Sequence, residues 1–144
     1  MAADNTNTSQ YSNALAPCSS NGVIAIWSSL TKAEAFEAND TLTMCKLPAG
    51  YKVVGYSFHI DKKVGDSGAV TIGTMSDSTA IDADSIQSKI TCTAAAFSTG
   101  PALLPTSYGA EANARVVITI TGLGANPTTD ATIRLCVFAT PFAV

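Results

Sequence analysis

The sequence has few charged residues and few of the residue types that catalyse reactions or bind metal ions. Only 13% of its 144 residues are charged, and it holds one histidine and four cysteines. Zinc ligands usually occur as closely spaced pairs, and no two of these cysteines form a CxxC pair, so a structural zinc site has little support. The eight lysines and arginines are spread thinly in a chain of net charge −3, so no basic patch can neutralise a run of phosphates. We therefore expect no metal, no cofactor and no nucleic-acid partner.

Long apolar runs are also missing. No stretch approaches the ~20 apolar residues that span a bilayer, and the first residues lack the basic and apolar regions of a secretory signal, so we expect no membrane partner and no export. Thiols of proteins that are not exported usually stay reduced. We therefore predict free thiols at Cys18, Cys45, Cys92 and Cys136, the last three as small apolar fillers of strands.

Candidate catalytic groups are scarce. The single histidine, His59, is the only available general base for a nucleophile, yet no serine lies in a GxSxG turn and no cysteine is near His59 in the sequence. The acidic residues Asp77, Asp82 and Asp84 lack the spacing of a calcium loop, which favours a solvated loop that protects a sheet edge. We expect no enzyme. An enzyme stays open as an alternative if a pocket brings His59 beside a carboxylate.

Alanine, threonine and serine are abundant, and short runs of alternating apolar and polar residues recur along the chain. Seven such strand-like runs occur, at residues 23–29, 41–47, 52–61, 69–74, 87–93, 115–121 and 132–139. Several short strands separated by turn residues are typical of sandwiches and barrels. The sequence predicts an all-β fold: a single antiparallel β-sandwich, jelly-roll or Greek-key like, over residues 23–144, after an extended N-terminal arm of residues 1–22.

The run at residues 52–61 shows the alternation most clearly. Val54, Tyr56, Phe58 and Ile60 are predicted to face the core, which leaves His59 on the more polar face.

The connections are less regular. The last two runs read as one long hairpin whose second strand lies inside a sheet and is covered on both faces. Residues 31–40 (TKAEAFEAND) are predicted to be an irregular lead into the next strand, and residues 93–114 to be a long Greek-key connection.

The N-terminal arm is polar and cannot bury enough surface to offset the entropy of ordering it. Tyr11, Leu15 and Pro17 are apolar anchors along it, as expected of an extended segment that adds to a partner's sheet or lies in a groove. A ragged terminus without a role is the alternative. At the other end, Phe138 and Phe142 are candidates for packing into a neighbouring chain.

Three stretches together resemble a group of small virion proteins of tailed bacteriophages. They are FEANDTLTMCKLPAGYKVVGYSFHID, GAVTIGTMSDSTAIDADSI and ARVVITITGLGANPTTDATIRLCVFAT, which include the LPAG turn at residues 47–50 and the Gly73 and Thr74 pair before an acidic segment. The loop DKKVGDSGA departs from the group, because it is longer and carries Lys62 and Lys63.

This resemblance implies a capsid decoration or cement protein. It would lie on the capsid surface of the virion, be made in the cytoplasm of the host bacterium, and bind the major capsid protein. Symmetric clusters are common on shells, so a homo-oligomer, as a trimer or dimer, is expected. A tail-surface or receptor-binding module for carbohydrate stays open as an alternative, which would need Trp27, Tyr51 and Tyr108 to cluster.

Overall fold

A computed structural model of the protein describes residues 5–7, 22–48, 50–76, 79–102 and 115–141, and every regular element in these ranges is a β-strand. Within them, no helix is long and apolar enough to cross a membrane. The strands are β1 (Asn5–Asn7), β2 (Ile24–Lys32), β3 (Thr41–Lys46), β4 (Tyr51–Ile60), β5 (Ala69–Ser76), β6 (Thr79–Thr91), β7 (Ala96–Pro101), β8 (Arg115–Thr121) and β9 (Ala131–Pro141).

The strands form two sheets that pack face to face. The front sheet has the order β2-β9-β4-β7, and the back sheet has the order β1-β3-β8-β5-β6. Strands β2 to β9 pair as nested antiparallel couples, β2 with β9, β3 with β8, β4 with β7 and β5 with β6. This nesting is the connectivity of an eight-stranded jelly roll. The predicted all-β antiparallel sandwich is confirmed.

The core lies between the two sheets. Its largest fully buried side chains come from both sheets and from the irregular segments before and after β3: Tyr56, Phe36, Phe58, Leu42, Met44, Leu47, Ile60, Ile72, Ile86, Ile118, Ile120 and Ile133. One inward position was predicted wrongly, because a register shift between Val53 and Gly55 turns Val53 into the core and leaves Val54 half-buried. A prediction from strict alternation assumes that every second residue faces the core. A bulge inserts one extra residue into the strand, so the residues before it face the opposite way from the prediction.

Three predictions about connections change in the structure. The prediction of a hairpin over residues 115–139 is wrong, because β8 lies in the back sheet and β9 lies in the front sheet. Residues 96–101, assigned to a long connection, form the edge strand β7, where proline and glycine are tolerated. Asp82 and Asp84 belong to the edge strand β6 and not to a loop, while Asp77 lies outside the described residues.

Other predictions about these segments hold in part. Of the predicted irregular lead at residues 31–40, residues 33–40 are irregular, whereas Thr31 and Lys32 belong to β2. Strand β9 lies inside its sheet, between β2 and β4, although its outer face is only partly covered, because Arg134 is exposed and Phe138 is half-buried.

The irregular segment between β2 and β3 is held by a buried ion pair. Lys32 Nζ lies 3.5 Å from Asp40 Oδ2, and the side chains are 4% and 0% exposed. Asp40 Oδ2 also accepts the backbone N–H of Glu37 at 2.8 Å, and the Lys32 ammonium lies 6.0 Å from the centre of the Phe36 ring. These contacts fix the segment at the end of the sandwich where β2 finishes and β3 begins.

Two loops bind each other at the same end of the sandwich. In the β4–β5 loop, Asp66 accepts hydrogen bonds from Lys63 Nζ at 2.6 Å and from Asn126 Nδ2 of the β8–β9 loop at 2.8 Å, and these bonds lower the pKa of Asp66. A Cβ atom on Gly65 would overlap the backbone carbonyl of Leu123, so the two backbones approach too closely for any other residue. The lysine-bearing loop therefore contacts the chain's own β8–β9 loop.

Partly buried polar groups join the two sheets at the side formed by β6 and β7. The Tyr56 hydroxyl lies 2.8 Å from Ser98 Oγ of β7 and accepts a hydrogen bond from Gln87 Nε2 of β6 at 2.8 Å. The tyrosine ring is in the core, so its hydroxyl needs these partners.

The three described cysteines are free and buried, as predicted. Burial raises the pKa of Cys45 to about 12 and that of Cys92 to about 11, and it also raises the pKa of Cys136. These thiols are protonated at neutral pH. Cys18 lies outside the described residues.

Candidate interaction face

The outer face of the front sheet carries the large exposed apolar side chains among the described residues. Trp27 on β2 is 63% exposed, Phe97 on β7 is 66% exposed, and Val23, just before β2, is 62% exposed. Strands β2 and β7 are the two edges of this sheet, about 14 Å apart at the usual strand spacing of ~4.8 Å. The exposed apolar groups therefore flank the face on both sides.

Strand register places small and apolar residues between these two edges. Trp27 lies opposite Cys136, which lies opposite Ser57, which lies opposite Thr99. In the neighbouring row Phe138 lies opposite Gly55, and a Cβ on Gly55 would be 3.7 Å from the Phe138 ring. The Phe138 ring therefore lies over the glycine, as in cross-strand pairs where an aromatic covers a glycine.

The row nearest the loops is cationic and aromatic. His59 lies opposite Arg134 on β9 and opposite Phe97 on β7. It is half-buried on the outer face, as predicted, and its Nδ1 atom is buried without a hydrogen-bond partner. Asp61, which directly follows β4, accepts the backbone N–H of Thr132 at 2.7 Å. Neither residue directly opposite His59 is a carboxylate.

The outer face of the back sheet is different. Thr43 and Val117, which lie opposite each other on β3 and β8, are 2% and 0% exposed. Thr71 and Thr119 pair in the adjacent row, and their Oγ1 atoms are buried without partners. The described residues of this face offer little exposed apolar surface, which makes the front sheet the candidate interaction face.

The predicted site residues have different outcomes. Phe138 lies on the candidate interaction face and is half-buried, while Tyr11, Leu15, Pro17 and Phe142 lie outside the described residues. Partner binding by all five therefore stays a prediction. Of the predicted arm, Asn5–Asn7 form β1, which pairs in parallel with Thr41–Thr43 of β3 in the chain's own back sheet.

The aromatic residues considered for sugar binding do not cluster in the described part of the chain. Trp27 lies opposite Cys136, whereas Tyr51 lies opposite Pro141, five residues further along β9, or about 17 Å. Tyr108 lies outside the described residues. Sequence reasoning missed Phe97, because the alanines before it and the glycine and proline after it concealed a short alternating run in AFSTGP.

No metal site is formed by the part of the chain that the structure describes, where no three histidine, cysteine or acidic side chains come together. The face can therefore contribute shape, apolar area and the positive charge of Arg134. These are the properties of a surface that binds another macromolecule.

Comparisons with known proteins identify the fold. A chain in "Capsid of Ralstonia phage GP4" matches with a TM-score of 0.75 and 19% identity, over 99% of this chain and 100% of that one. A chain in "Cyanophage Pam1 capsid asymmetric unit" matches with a TM-score of 0.57 and 19% identity, over 90% and 94%. No protein-family model matches the sequence, and neither does any curated protein. The protein is a jelly-roll β-sandwich of a fold that is shared by chains in structures of two phage capsids.

Proposed function

We propose that this protein is a structural virion protein of a tailed bacteriophage, which binds the capsid surface as a decoration or cement protein. The observation that carries the proposal is the end-to-end likeness to a chain in the capsid structure of Ralstonia phage GP4, because it spans 99% of this chain and all of the other. The likeness therefore extends over the whole sandwich and not over a part of it.

The surface chemistry supports a role in adhesion. A protein that binds many copies of a shell needs a rigid body and broad contact surface, and it needs no reactive group. The candidate interaction face supplies exposed Trp27 and Phe97 around small side chains, whose ordering costs little entropy. The interlocked loops at one end and the buried Lys32–Asp40 pair stiffen the sandwich behind this face.

The partner that fits this role is the major capsid protein of the same virion. The protein would be made in the cytoplasm of the host bacterium and act as a homo-oligomer, a trimer or a dimer. Phe138 on the candidate interaction face and Phe142 near the C-terminus would pack into a neighbouring chain. Tyr11, Leu15 and Pro17 would anchor the arm on a partner.

Binding to shells tests this function directly. Shells assembled without the protein are mixed with purified protein and sedimented. The double variant Trp27→Ser with Phe97→Ser should sediment with shells at least tenfold more weakly, because both exposed aromatics are lost. The control Lys89→Ser, on the exposed side of β6, should bind as the wild type does. If the wild-type protein does not sediment with shells but binds host surface glycans, the decoration role is refuted and a tail-surface or receptor-binding module is favoured.

The arm has its own test. Deletion of residues 2–16 should leave a folded sandwich that binds shells more weakly, since it removes Tyr11 and Leu15. Because β1 is also removed, the melting temperature of this variant is compared with that of a deletion of residues 2–7 alone. Undiminished shell binding by the longer deletion would show that the arm has no part in adhesion.

His59 provides a test of the non-enzymatic role. His59→Ala should leave shell binding within about twofold of wild type, because Arg134 and Phe97 remain in its row. A hydrolytic activity of the wild type that disappears in this variant would contradict the proposal.

A further inference from the structure

Three of the four edge strands in the described sandwich are protected against pairing with another chain. Strand β1 has only three residues. Strand β7 is short and ends in Gly100 and Pro101. Strand β6 pairs with β5 through three register shifts and carries Asp82, Asp84 and Lys89. Short length, proline, irregular pairing and charge are the usual ways in which proteins prevent edge-to-edge association.

Strand β2 has none of these features along most of its length. It runs for nine residues, IAIWSSLTK, with no proline and no charge before Lys32. Its register with β9 is continuous from Ile24 opposite Ala139 to Lys32 opposite Ala131. In the described residues its other edge has no paired strand. A long, straight, uncharged edge strand presents a row of backbone donors and acceptors to another strand.

The inner face along this edge is incompletely covered. Ile26 and Ser28 point inward and are 3% and 5% exposed, whereas Ile24 and Leu30 are only partly buried although they contact the core. Residues inside a sheet are covered by strands on both sides, and β2 has β9 on one side only. One more strand beside β2 would cover Ile24 and Leu30.

The two sheets also end at different positions on this side. Strand β2 packs against β3, and the back sheet continues beyond β3 to β1. A strand added to β2 would therefore lie opposite β1, and both sheets would then have five strands. A second copy that paired through its own β2 would bring its β3 to the position that β1 occupies. The space beside β2 and opposite β1 therefore has room for one extended segment and not for a second sandwich.

We propose that the free edge of β2 accepts one extended, uncharged segment of another polypeptide chain of the shell, by strand addition. This proposal rests on the function proposed above and adds how the partner is bound. Backbone hydrogen bonds would hold the segment. Its alternate side chains would be apolar where they adjoin Ile26 and Leu30, and small where they adjoin Trp27 on the outer face.

Hydrogen exchange on shells gives the first test. In an antiparallel pair, alternate residues direct their N–H groups to opposite edges, so about half of the β2 amides point to β9 and half to the free edge. On shell binding, exchange of the β2 amides that point to the free edge should slow at least tenfold. Exchange of the β2 amides that point to β9 should change little. Docking through side chains alone would not produce this alternation. Exchange is quenched on the shell and read residue by residue by mass spectrometry after release.

Crosslinking identifies the occupant. Benzoylphenylalanine replaces Ser29, which is exposed on β2, and a matched protein carries it in place of Ser88, which is exposed on β6. After irradiation on shells, the β2 probe should link to one uncharged segment of a shell chain, and the β6 probe should not. The variant Ser29→Lys should weaken shell binding about tenfold or more, and Ser88→Lys should not, because an edge lysine opposes strand addition.

The outcomes separate this proposal from the function on which it rests. Wild-type protein that does not sediment with shells would refute both. Protein that sediments with shells while its β2 amides exchange as in the free state would refute strand addition alone. Crosslinks from β2 to a second copy of this chain would refute the proposed occupant.

Discussion

The buried ion pair between Lys32 and Asp40 provides a sharp test of what holds the sandwich together. Asp40→Asn preserves the volume of the side chain and an oxygen that can accept the N–H of Glu37, now at 2.8 Å. It removes the charge that lies 3.5 Å from the Lys32 ammonium. The lysine then remains in a site where it is 4% exposed, and the negative charge of Asp40 is no longer beside it. Only the electrostatic partner is changed.

The expected cost follows from this burial. Removing one member of a buried pair costs about 3–5 kcal/mol, because the remaining charge stays desolvated. For a domain of about 150 residues, 1 kcal/mol corresponds to about 2–4 °C in melting temperature, so the midpoint should fall by about 6–20 °C. Lys32→Met should have a similar effect, since it removes the ammonium that lies 3.5 Å from the buried carboxylate of Asp40.

A double-mutant cycle gives the measurement. The free energy of unfolding is obtained from urea titrations of the wild type, the two single variants and the Lys32→Met with Asp40→Asn double variant. Because the double variant leaves no unpaired charge, it should be more stable than either single variant. The exposed pair Lys63–Asp66 is the control, and Lys63→Met should have a much smaller effect, since water screens both groups.

Two results would refute this reasoning. If Asp40→Asn costs less than about 1 kcal/mol, the buried charge is not a major constraint on the fold. If the two single effects simply add in the double variant, the side chains act independently and the geometry of the pair carries no energy.

Three further predictions concern the core and the loops. Cys45 and Cys92 should not react with a thiol reagent at pH 8 until the chain is denatured. Burial raises the pKa of Cys45 from 9.0 to about 12 and that of Cys92 from 9.0 to about 11. The stability that these two thiols contribute is therefore present below pH 9 and is lost as the pH rises through 11 and 12. Tyr56→Phe should lower the unfolding free energy by about 1–2 kcal/mol in urea titrations, since two hydrogen bonds lose their common partner; an unchanged midpoint would mean that water replaces the hydroxyl. Gly65→Ala should cost about 1–3 kcal/mol, whereas Gly22→Ala, which has open space around it, should cost far less; equal effects would contradict the close approach of the two loops.

The sequence determined the class of fold and the positions of most strands, because strand patterns depend on which side chains face the core. The alternation in residues 52–61 correctly placed Tyr56, Phe58 and Ile60 inside and His59 outside. Small, apolar cysteines within strand runs were correctly assigned as buried thiols. These are local properties, set by the period of two along a strand.

Only the tertiary structure decided which strands are neighbours. Strands β8 and β9 are consecutive in the chain, and their sequence is compatible with a hairpin, but each pairs with a distant strand because the whole chain folds as nested couples. The bulge at Val53 and the edge strand β7 likewise depend on the pairing of segments that are far apart in the chain. The candidate interaction face is of the same kind. Trp27, Phe138 and Phe97 lie on three strands, and only the register of β2, β9, β4 and β7 brings them onto one surface.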